Sequence, residues 1–441
     1  MKDKALHLGA KFLKQELISG SIYIFIGSII ANISNLFFNL FVSRNLTVEG
    51  YGILTSTISL VSLMVIPVGS IIPTVVSFAG SRFAKEDYGS VKALFLKITK
   101  PLLVISFIIF FCFIIFAGHI GDFFQIADQS IIVIAGIIVA LSYVGVVNSG
   151  LLQARLAFKF ISFSNLISAI TKLLVGVILV FLGFNVKGAI WAVFISGIIP
   201  FILGFIYLRF VFMSKSIISS NKIHFKNLLS YGIPSSLATL GMMSLISTDI
   251  LLVKHFYDPL QAGIYAGLSL VGKVIFFFTA PIGSVMFPLL VKKYAKSEKY
   301  NNVFKMAVAL VFVPSAVLSM IYFLYPEFII KFFIKNEAYI SASSLLGLFG
   351  LFTTTYSLIS LFTYYFLSVK KTNVYIPVVF FAVVQVLLIV FYHDSFFRVV
   401  IISLVVSLLL LSTLLFYYIK VHGEYKKIKR RVVTVSVPNE I

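Results

Sequence analysis

Three ionisable residues lie inside long apolar stretches of this 441-residue chain. Lys172 and Lys273 stand near the middle of their stretches, and Asp249 stands nearer the end of a third. Two ammonium groups against one carboxylate favour a site for an anionic ligand. In that interpretation Asp249 is either the counter-ion or a carboxylate that couples transport to H⁺ or Na⁺.

The cost of these charges indicates that they have a role. One charge at the centre of a bilayer costs roughly 2.5–3.5 kcal/mol on insertion scales. Three such charges together approach the stability of a whole domain, about 5–15 kcal/mol. The alternative to a binding site is a buried ion pair of Asp249 with Lys273 or Lys172 that holds helices together.

Polar side chains accompany these charges at helical spacing. Asn32, Asn35 and Asn39 follow Ser28 in the first apolar stretch at steps of 4, 3 and 4, so they share one helical face. Such a face must contact protein or water rather than lipid. It either forms interhelical hydrogen bonds or lines a polar cavity. Asn165 and Ser168 precede Lys172 on its own face.

A third polar face lies late in the chain. Thr353, Tyr356, Ser360 and Thr363 recur at steps of 3, 4 and 3. Interhelical hydrogen bonds are the ordinary interpretation of such hydroxyls, and contact with a sugar is the alternative.

The elements that must position these residues repeat at half the chain length. Tyr51 and Tyr265 are 214 residues apart, and so are Pro67 and Pro281. This repeat predicts two units, residues 1–213 and 214–420, followed by a basic tail, 421–441. Prolines six or seven residues apart bend a membrane helix, whether as static kinks or as moving parts. We expect such kinks at Pro67, Pro73, Pro281 and Pro288.

Composition places the chain in the membrane. It is 60% hydrophobic and only 12% charged, whereas soluble domains are nearer 45–50% apolar and about 25% charged. The apolar blocks are long enough for helices to cross a hydrocarbon core of about 30 Å. The fold class is therefore an all-α membrane protein. We predict twelve spans near 18–43, 52–79, 98–117, 130–151, 161–183, 187–209, 228–253, 262–291, 303–325, 339–368, 373–392 and 399–419.

The net charge of +21 indicates orientation rather than nucleic-acid binding. With the N-terminus inside, 28 of the 36 Lys and Arg residues fall in inner segments. The outer loops hold only Arg44, Lys187, Lys254, Lys331, Lys335 and Arg398. This positive-inside asymmetry predicts that both termini are cytoplasmic. We expect the basic tail to lie against anionic lipid headgroups.

Sequence motifs for catalysis or cofactor binding are absent. Cys112 is the single cysteine, so no disulfide or thiolate metal site can form within one chain. The six histidines lack the spacing of metal ligands, and no GxxxxGK[ST] phosphate loop is present. We therefore expect no enzyme activity, no metal and no cofactor, with any driving force supplied by H⁺, Na⁺ or the substrate gradient.

Several motifs resemble those of the oligosaccharide flippases of the multidrug/oligosaccharidyl-lipid/polysaccharide exporter superfamily. The run from Ser43-Arg44-Asn45-Leu46 to Gly50-Tyr51-Gly52 is similar to the signature after their first span. Asp249-Ile-Leu-Leu, then Gly263-Ile-Tyr-Ala and Phe287-Pro288, resembles their seventh and eighth spans. The loop from Pro326-Glu327 to Ala338-Tyr339 resembles the one before their tenth span.

The resemblance implies a fold and a function. The fold would be two six-helix bundles around a central, often cationic cavity, working by alternating access. The substrate would be an undecaprenyl-diphosphate-linked oligosaccharide, moved across a bacterial inner membrane for O-antigen or capsule synthesis. Membrane lipids, a polysaccharide polymerase and a chain-length regulator would be the partners, and Arg44 would join the lysines and asparagines in the cavity.

Two other functions remain open. An ion-coupled multidrug antiporter of the same superfamily shares the architecture, although cationic substrates would favour more mid-membrane carboxylates. A polysaccharide polymerase has similar length and hydropathy, but it would carry a sizeable outer loop with basic residues. No outer loop of that kind is predicted here.

Overall fold

The chain is helical throughout the part that is described. The structure, a computed structural model, describes residues 27, 29–69, 71–83, 85–213, 225–295 and 300–435, and it contains no strand within those ranges. The helices are α1 (29–45), α2 (Val48–Gly69), α3 (Ile71–Phe83), α4 (Tyr88–Ile115), α5 (Ala117–Phe123), α6 (Gln129–Ala154), α7 (Phe158–Leu179), α8 (Asn185–Met213), α9 (Phe225–Phe256), α10 (Pro259–Ala295), α11 (Asn301–Leu324), α12 (Pro326–Phe333), α13 (Leu346–Ser368), α14 (Tyr375–Phe391) and α15 (Phe396–Val435).

The helices account for twelve membrane spans. Within the described ranges, ten stretches are long and apolar enough to cross a bilayer. One of them, Phe158–Met213, is two helices, because the chain turns between α7 and α8. Gly183 has φ of 88° in that turn, a left-handed conformation that glycine adopts without a Cβ clash. With α1 added, the structure supports the predicted number of spans.

Short polar side chains start several helices. Asp87 accepts a hydrogen bond from the Ser90 N–H at the start of α4, at 3.0 Å. Asp128 does the same for Ser130 at the start of α6, at 3.1 Å. Such N-caps satisfy backbone donors that the first helical turn leaves free. The loops therefore end where an Asp is followed by a long apolar run.

The helices pack as two bundles with the same internal pattern. In the first half, α2 and α4 both pack on α6, and α7 packs on α8. In the second half, α10 and α11 both pack on α13, and α14 packs on α15. The second, third and fourth spans of each half thus form equivalent contacts, as do the fifth and sixth. The bundles meet mainly where α2 packs on α9 and α10.

The proline positions fall in different settings. Pro67 lies inside α2, near the boundary between α2 and α3, where residue 70 lies outside the described residues. α10 is one helix through Pro281 and Pro288. The side chains of Pro73 and Pro288 lie outside the described set. Their role as kinks or moving parts therefore stays a prediction.

The predicted unit boundaries fall at the edges of the described ranges. Residues 214–224, around the boundary at 213/214, lie outside them, as do residues 1–26, where the first predicted span begins, and Ser28. Helix α15 continues to Val435, so the backbone at the start of the predicted tail extends the last span. The side chains of residues 421–441 lie outside the description.

α13 forms the centre of the second bundle, and its hydroxyl face is used for packing. Thr353 donates across to the Gly272 carbonyl of α10 at 3.0 Å. Ser360 and Thr363 donate to carbonyls of α13 itself. All these side chains are buried. Interhelical and local hydrogen bonds, rather than an open sugar-binding face, account for this polar stripe.

Candidate functional site

A polar cavity of about 320 Å³ surrounds Lys172 in the first bundle. Its polar lining consists of Asn32 and Asn35 from α1, Asn165, Ser168 and Lys172 from α7, and Ser196 from α8. The helical spacings explain the grouping, since 32 and 35 share a face of α1, and 165, 168 and 172 share a face of α7. The predicted polar faces of these two helices therefore meet around one lysine.

Lys172 is oriented by an aromatic ring and by helix packing. Its Nζ lies 4.9 Å from the centroid of the Phe38 ring on α1, within the range of a cation–π contact. Ser168 donates to the Ser196 carbonyl at 2.7 Å and ties α7 to α8 beside the lysine. The ammonium group therefore lines a polar space of the first bundle.

An apolar groove of about 160 Å³ adjoins this cavity. α1 lines it with Ile29, Asn32, Ile33 and Leu36, and α10 lines it with Phe277, Phe278, Pro281 and Ile282. Asn32 lines both the cavity and the groove. A charged polar space and an apolar gap between the two bundles thus share one lining residue.

Asp249 and Lys273 interact within the second bundle. Asp249 is fully buried, and its Oδ2 accepts a hydrogen bond from the Tyr265 hydroxyl at 2.8 Å. Its Oδ1 has no hydrogen-bond partner in the described part of the chain. Lys273 is the cation that attracts the Asp249 carboxylate electrostatically. Lys273 is not among the residues that line the Lys172 cavity.

The other residues predicted to line the cavity lie elsewhere. Asn39 donates to the Asn35 carbonyl within α1 at 2.9 Å and does not line the cavity around Lys172. Arg44 is exposed at the end of α1 and donates to the Phe333 carbonyl at 2.8 Å and the Phe332 carbonyl at 2.7 Å. The structure therefore brings Lys172, Asn32 and Asn35 together and places Arg44 and Asn39 apart from them.

The contacts of Arg44 belong to a set that joins the two bundles at one end, the predicted outer end. Arg44 reaches from α1 to the C-terminal carbonyls of α12. His255, in the last turn of α9, lies 2.7 Å by its Nδ1 from the Phe123 carbonyl at the C-terminus of α5. Gln125 donates to the His255 carbonyl at 3.0 Å. In the first two contacts, a side chain of one bundle meets the C-terminus of a short helix of the other.

Close backbone packing accompanies those contacts. A Cβ built on Gly52 of α2 would lie 3.0 Å from the Gly263 backbone of α10, and one built on Gly263 would overlap the Val48 carbonyl. Glycine at 263 therefore permits α2 and α10 to cross at this distance. The two glycines lie one and two residues from Tyr51 and Tyr265, which repeat at half the chain length.

An ion pair outside the spans joins two helices at the predicted outer end. Lys187 Nζ lies 2.7 Å from Asp128 Oδ2 and joins the starts of α8 and α6. Burial raises the pKa of the Asp128 carboxyl, but hydrogen bonds from Lys187 and Ser130 outweigh that effect, so the pKa lies below its usual value.

Within the described residues, no group of three His, Cys, Asp or Glu side chains could hold a metal ion.

A match to a protein-family model identifies the family of this chain. The model described as "Polysaccharide biosynthesis protein" matches residues 97–344, more than half of the chain. The chain belongs to this family of polysaccharide biosynthesis proteins. No curated protein matches the chain in a sequence search.

Solved structures show the fold of this polysaccharide biosynthesis protein. An inward-facing multidrug resistance MATE family transporter of the MOP superfamily aligns with a TM-score of 0.69 at 15% identity, covering 92% of this chain and 99% of that one. The outward-facing conformation of such a transporter gives 0.64 at 15% identity over 94% and 97%. A eukaryotic MATE transporter gives 0.60 at 14% identity over 91% and 96%. Family and fold together confirm the resemblance to the multidrug/oligosaccharidyl-lipid/polysaccharide exporter superfamily.

Sequence reasoning missed one charged residue of this polysaccharide biosynthesis protein. It placed Lys254 in an outer loop, but Lys254 lies in the last turns of α9 with 1% of its surface exposed. Its Nζ has no hydrogen-bond partner within the described ranges. The carboxylates that attract it electrostatically are those of Glu49 and Asp258. The predicted span ended at residue 253, so Lys254 was assigned to the loop that follows. In the structure the helix continues to Phe256 and includes Lys254.

Proposed function

We propose that the protein is a flippase for undecaprenyl-diphosphate-linked oligosaccharide, an O-antigen or capsule repeat unit. The substrate would move from the cytoplasmic to the periplasmic leaflet of a bacterial inner membrane by alternating access. The polysaccharide biosynthesis family and the superfamily fold support this function. With the termini in the cytoplasm, as the basic inner segments predict, the Arg44 end faces the periplasm.

One observation carries the proposal. Asn32 lines both the polar cavity of Lys172 and the apolar groove between α1 and α10. A lipid-linked sugar has the same two parts side by side, a charged diphosphate headgroup and a long apolar chain. The cavity would hold the headgroup while the groove leaves the polyprenyl chain in contact with lipid.

The electrostatic gain is large enough to matter. One ammonium and one phosphate charge about 4 Å apart attract by about 4 kcal/mol at an effective dielectric constant near 20. That attraction exceeds the roughly 2.5–3.5 kcal/mol that one charge costs at the centre of a bilayer on insertion scales. Lys172 would therefore lower the barrier for moving a diphosphate through the protein.

Lys273 would take part through Asp249. While Asp249 is ionised, it neutralises Lys273, and the lysine offers little to a second anion. Protonation of Asp249, or its binding of Na⁺, would release Lys273 to the diphosphate. We therefore assign Asp249 the role of counter-ion and coupling carboxylate, with H⁺ or Na⁺ as the coupling ion.

Complementation of a flippase-deleted host tests the proposal. Lys172→Ala should abolish surface polysaccharide, while Lys172→Arg, which keeps the charge, should retain a measurable part of it. Lys187→Ala is the matched control, because it removes an exposed lysine from a surface ion pair. All three variants must be present in the membrane at the wild-type level. Normal polysaccharide in Lys172→Ala would reject the site.

An ion-coupled multidrug antiporter is the second candidate. The buried carboxylate of Asp249, one oxygen of which has no hydrogen-bond partner among the described residues, is the feature that favours it. The neighbouring Lys273 opposes a cationic substrate there. Drug resistance conferred on a pump-deleted host, with no effect on surface polysaccharide, would support the antiporter instead.

The proposed function also implies protein partners in polysaccharide synthesis. A polysaccharide polymerase and a chain-length regulator would use the flipped repeat unit on the periplasmic side. Co-purification of the protein with a polymerase from a polysaccharide-producing host would test that association.

A further inference from the structure

A second cavity, of about 520 Å³, lies between the two bundles and is lined by hydroxyl groups. Ser62 of α2 and Ser142 of α6 contribute from the first bundle, and Ser235, Ser236 and Thr239 of α9 contribute from the second. Among the described residues, the other lining side chains are apolar and none is charged. Its volume falls within the range of small-molecule sites, about 300–1,000 Å³. We call this cavity the hydroxyl cleft.

The hydroxyls of the cleft are arranged as hydrogen-bond acceptors. Ser62 donates to the Ile58 carbonyl and Ser142 to the Ile138 carbonyl, each at 2.8 Å. Thr239 donates to the Ser235 carbonyl at 2.9 Å. A hydroxyl has one proton and two lone pairs, so a hydroxyl that donates to its own helix still accepts. These three groups therefore suit a ligand that donates hydrogen bonds.

Ser235 adds a group with unused hydrogen-bonding capacity. Its Oγ is shielded from solvent and has no hydrogen-bond partner in the described part of the chain. A buried polar group without a partner costs free energy. If the Ser235 side chain turns toward the cleft, a ligand with hydroxyl or amide groups there would satisfy it.

The cleft and the Lys172 cavity lie at similar depth. Asn32 is thirteen residues from the end of α1, and Ser62 is fourteen residues from the start of α2. At 1.5 Å per residue both lie about 20 Å from the turn that joins these helices. The two sites therefore lie at one level of the membrane, as binding of the charged part and the sugar part of one molecule would require.

We propose that the hydroxyl cleft binds uncharged sugar units of the lipid-linked glycan and disfavours uronic acids. Sugar hydroxyls and acetamido N–H groups donate to the acceptors of Ser62, Ser142 and Thr239. A sugar carboxylate only accepts, and the cleft offers it no cation and few donors, so burial there would cost its hydration. This selectivity rests on the proposed flippase function and adds a second, neutral subsite to it.

Binding to the purified full-length protein tests the subsite with three fluorescent probes. They are a polyprenyl diphosphate without sugar, one that carries N-acetylglucosamine, and one that carries glucuronic acid. The wild type should bind the N-acetylglucosamine probe more tightly than the bare diphosphate, and the glucuronic acid probe less tightly than the N-acetylglucosamine probe.

Matched substitutions separate the cleft from the helix packing. Thr239→Val and Ser142→Ala each remove one acceptor, and a hydrogen bond worth about 0.5–1.5 kcal/mol corresponds to about 2- to 12-fold in Kd. Only the N-acetylglucosamine probe should lose that affinity. The control is Thr413→Val on α15, where an exposed threonine donates to its own helix in the same way, at 2.8 Å. It should change no Kd.

The outcomes distinguish the subsite from the function. Equal binding of all three probes to the wild type overturns the subsite and leaves the flippase intact. Equal losses for the bare and the N-acetylglucosamine probes in Thr239→Val and Ser142→Ala also overturn it. If no probe binds the wild type, the proposed function itself fails.

Discussion

Arg44 provides the sharpest test of how the bundles are held together at the predicted outer end. Its Nε and Nη2 donate to the carbonyls of Phe333 and Phe332, 2.8 and 2.7 Å away, at the C-terminus of α12. A cation at a helix C-terminus is stabilised by the carbonyls and by the helix dipole. We therefore expect Arg44 to stabilise the conformation in which this end is closed.

The magnitude follows from those two bonds. Hydrogen bonds to charged groups contribute about 1.5–3 kcal/mol each, and Arg44 is exposed to solvent, which weakens them. A total of about 1.5–3 kcal/mol for Arg44→Gln is the expected loss. At 1.4 kcal/mol per tenfold, the closed state would lose about 10- to 100-fold in population relative to the open one.

Distances between spin labels measure that population. Labels at Ala127→Cys in the first bundle and Lys335→Cys in the second, in a Cys112→Ser background, report on the separation of the two halves. Arg44→Gln should add or enlarge a population at longer distance. Arg398→Gln is the matched control, because Arg398 pairs with Asp394 in its own bundle at 2.9 Å. Distance distributions that are the same for Arg44→Gln and Arg398→Gln would refute the closing role.

Three further predictions concern the second bundle, the crossing of the bundles and the loops. Asp249→Asn and Lys273→Gln should each lower the free energy of unfolding by about 1–3 kcal/mol, the cost of leaving a buried polar group without its partner. The double variant should recover most of this loss while remaining inactive in transport, and recovered transport would make the pair purely structural. Gly263→Ala should separate α2 from α10, because the added methyl group overlaps the Val48 carbonyl. Unchanged distances between the spin labels at positions 127 and 335 would contradict that packing. Asp128 has a lowered pKa, so its contribution to the free energy of unfolding should be present above the unfolded pKa, near 3.9, and be lost as pH falls through the lower folded pKa. Asp128→Asn should lower that free energy by about 0.2–1 kcal/mol at pH 7. A melting temperature unaffected at pH 7 would show that the ion pair with Lys187 contributes nothing.

Local patterns predicted the helices and part of the site. The number of spans follows from the length of apolar runs, and the grouping of Asn32 and Asn35 with Lys172 follows from helical spacing on two neighbouring helices. The same spacing put Asn39 on the α1 face, but it lies a turn beyond the cavity and bonds to its own helix. Periodicity identifies a face and not how far along it a cavity extends.

Contacts between distant parts of the chain were beyond such patterns. Arg44 meets carbonyls 288 and 289 residues later, and backbone acceptors carry no signal in the sequence. His255 contacts the Phe123 carbonyl in the same way and stacks on the Phe123 ring at 3.9 Å. The ion-pair alternative named Lys273 or Lys172 as the partner of Asp249, and only the packing of α9 against α10 places Lys273 there.

The rate of flipping in proteoliposomes tests the central claim most directly. The substrate would be a fluorescent polyprenyl-diphosphate-linked N-acetylglucosamine, and the proteins would be the wild type, Lys172→Ala, Lys172→Arg and Lys187→Ala at equal density. We predict rapid flipping by the wild type and Lys187→Ala, partial flipping by Lys172→Arg and background rates for Lys172→Ala. Flipping by Lys172→Ala at the wild-type rate would contradict an electrostatic site for the diphosphate in this cavity.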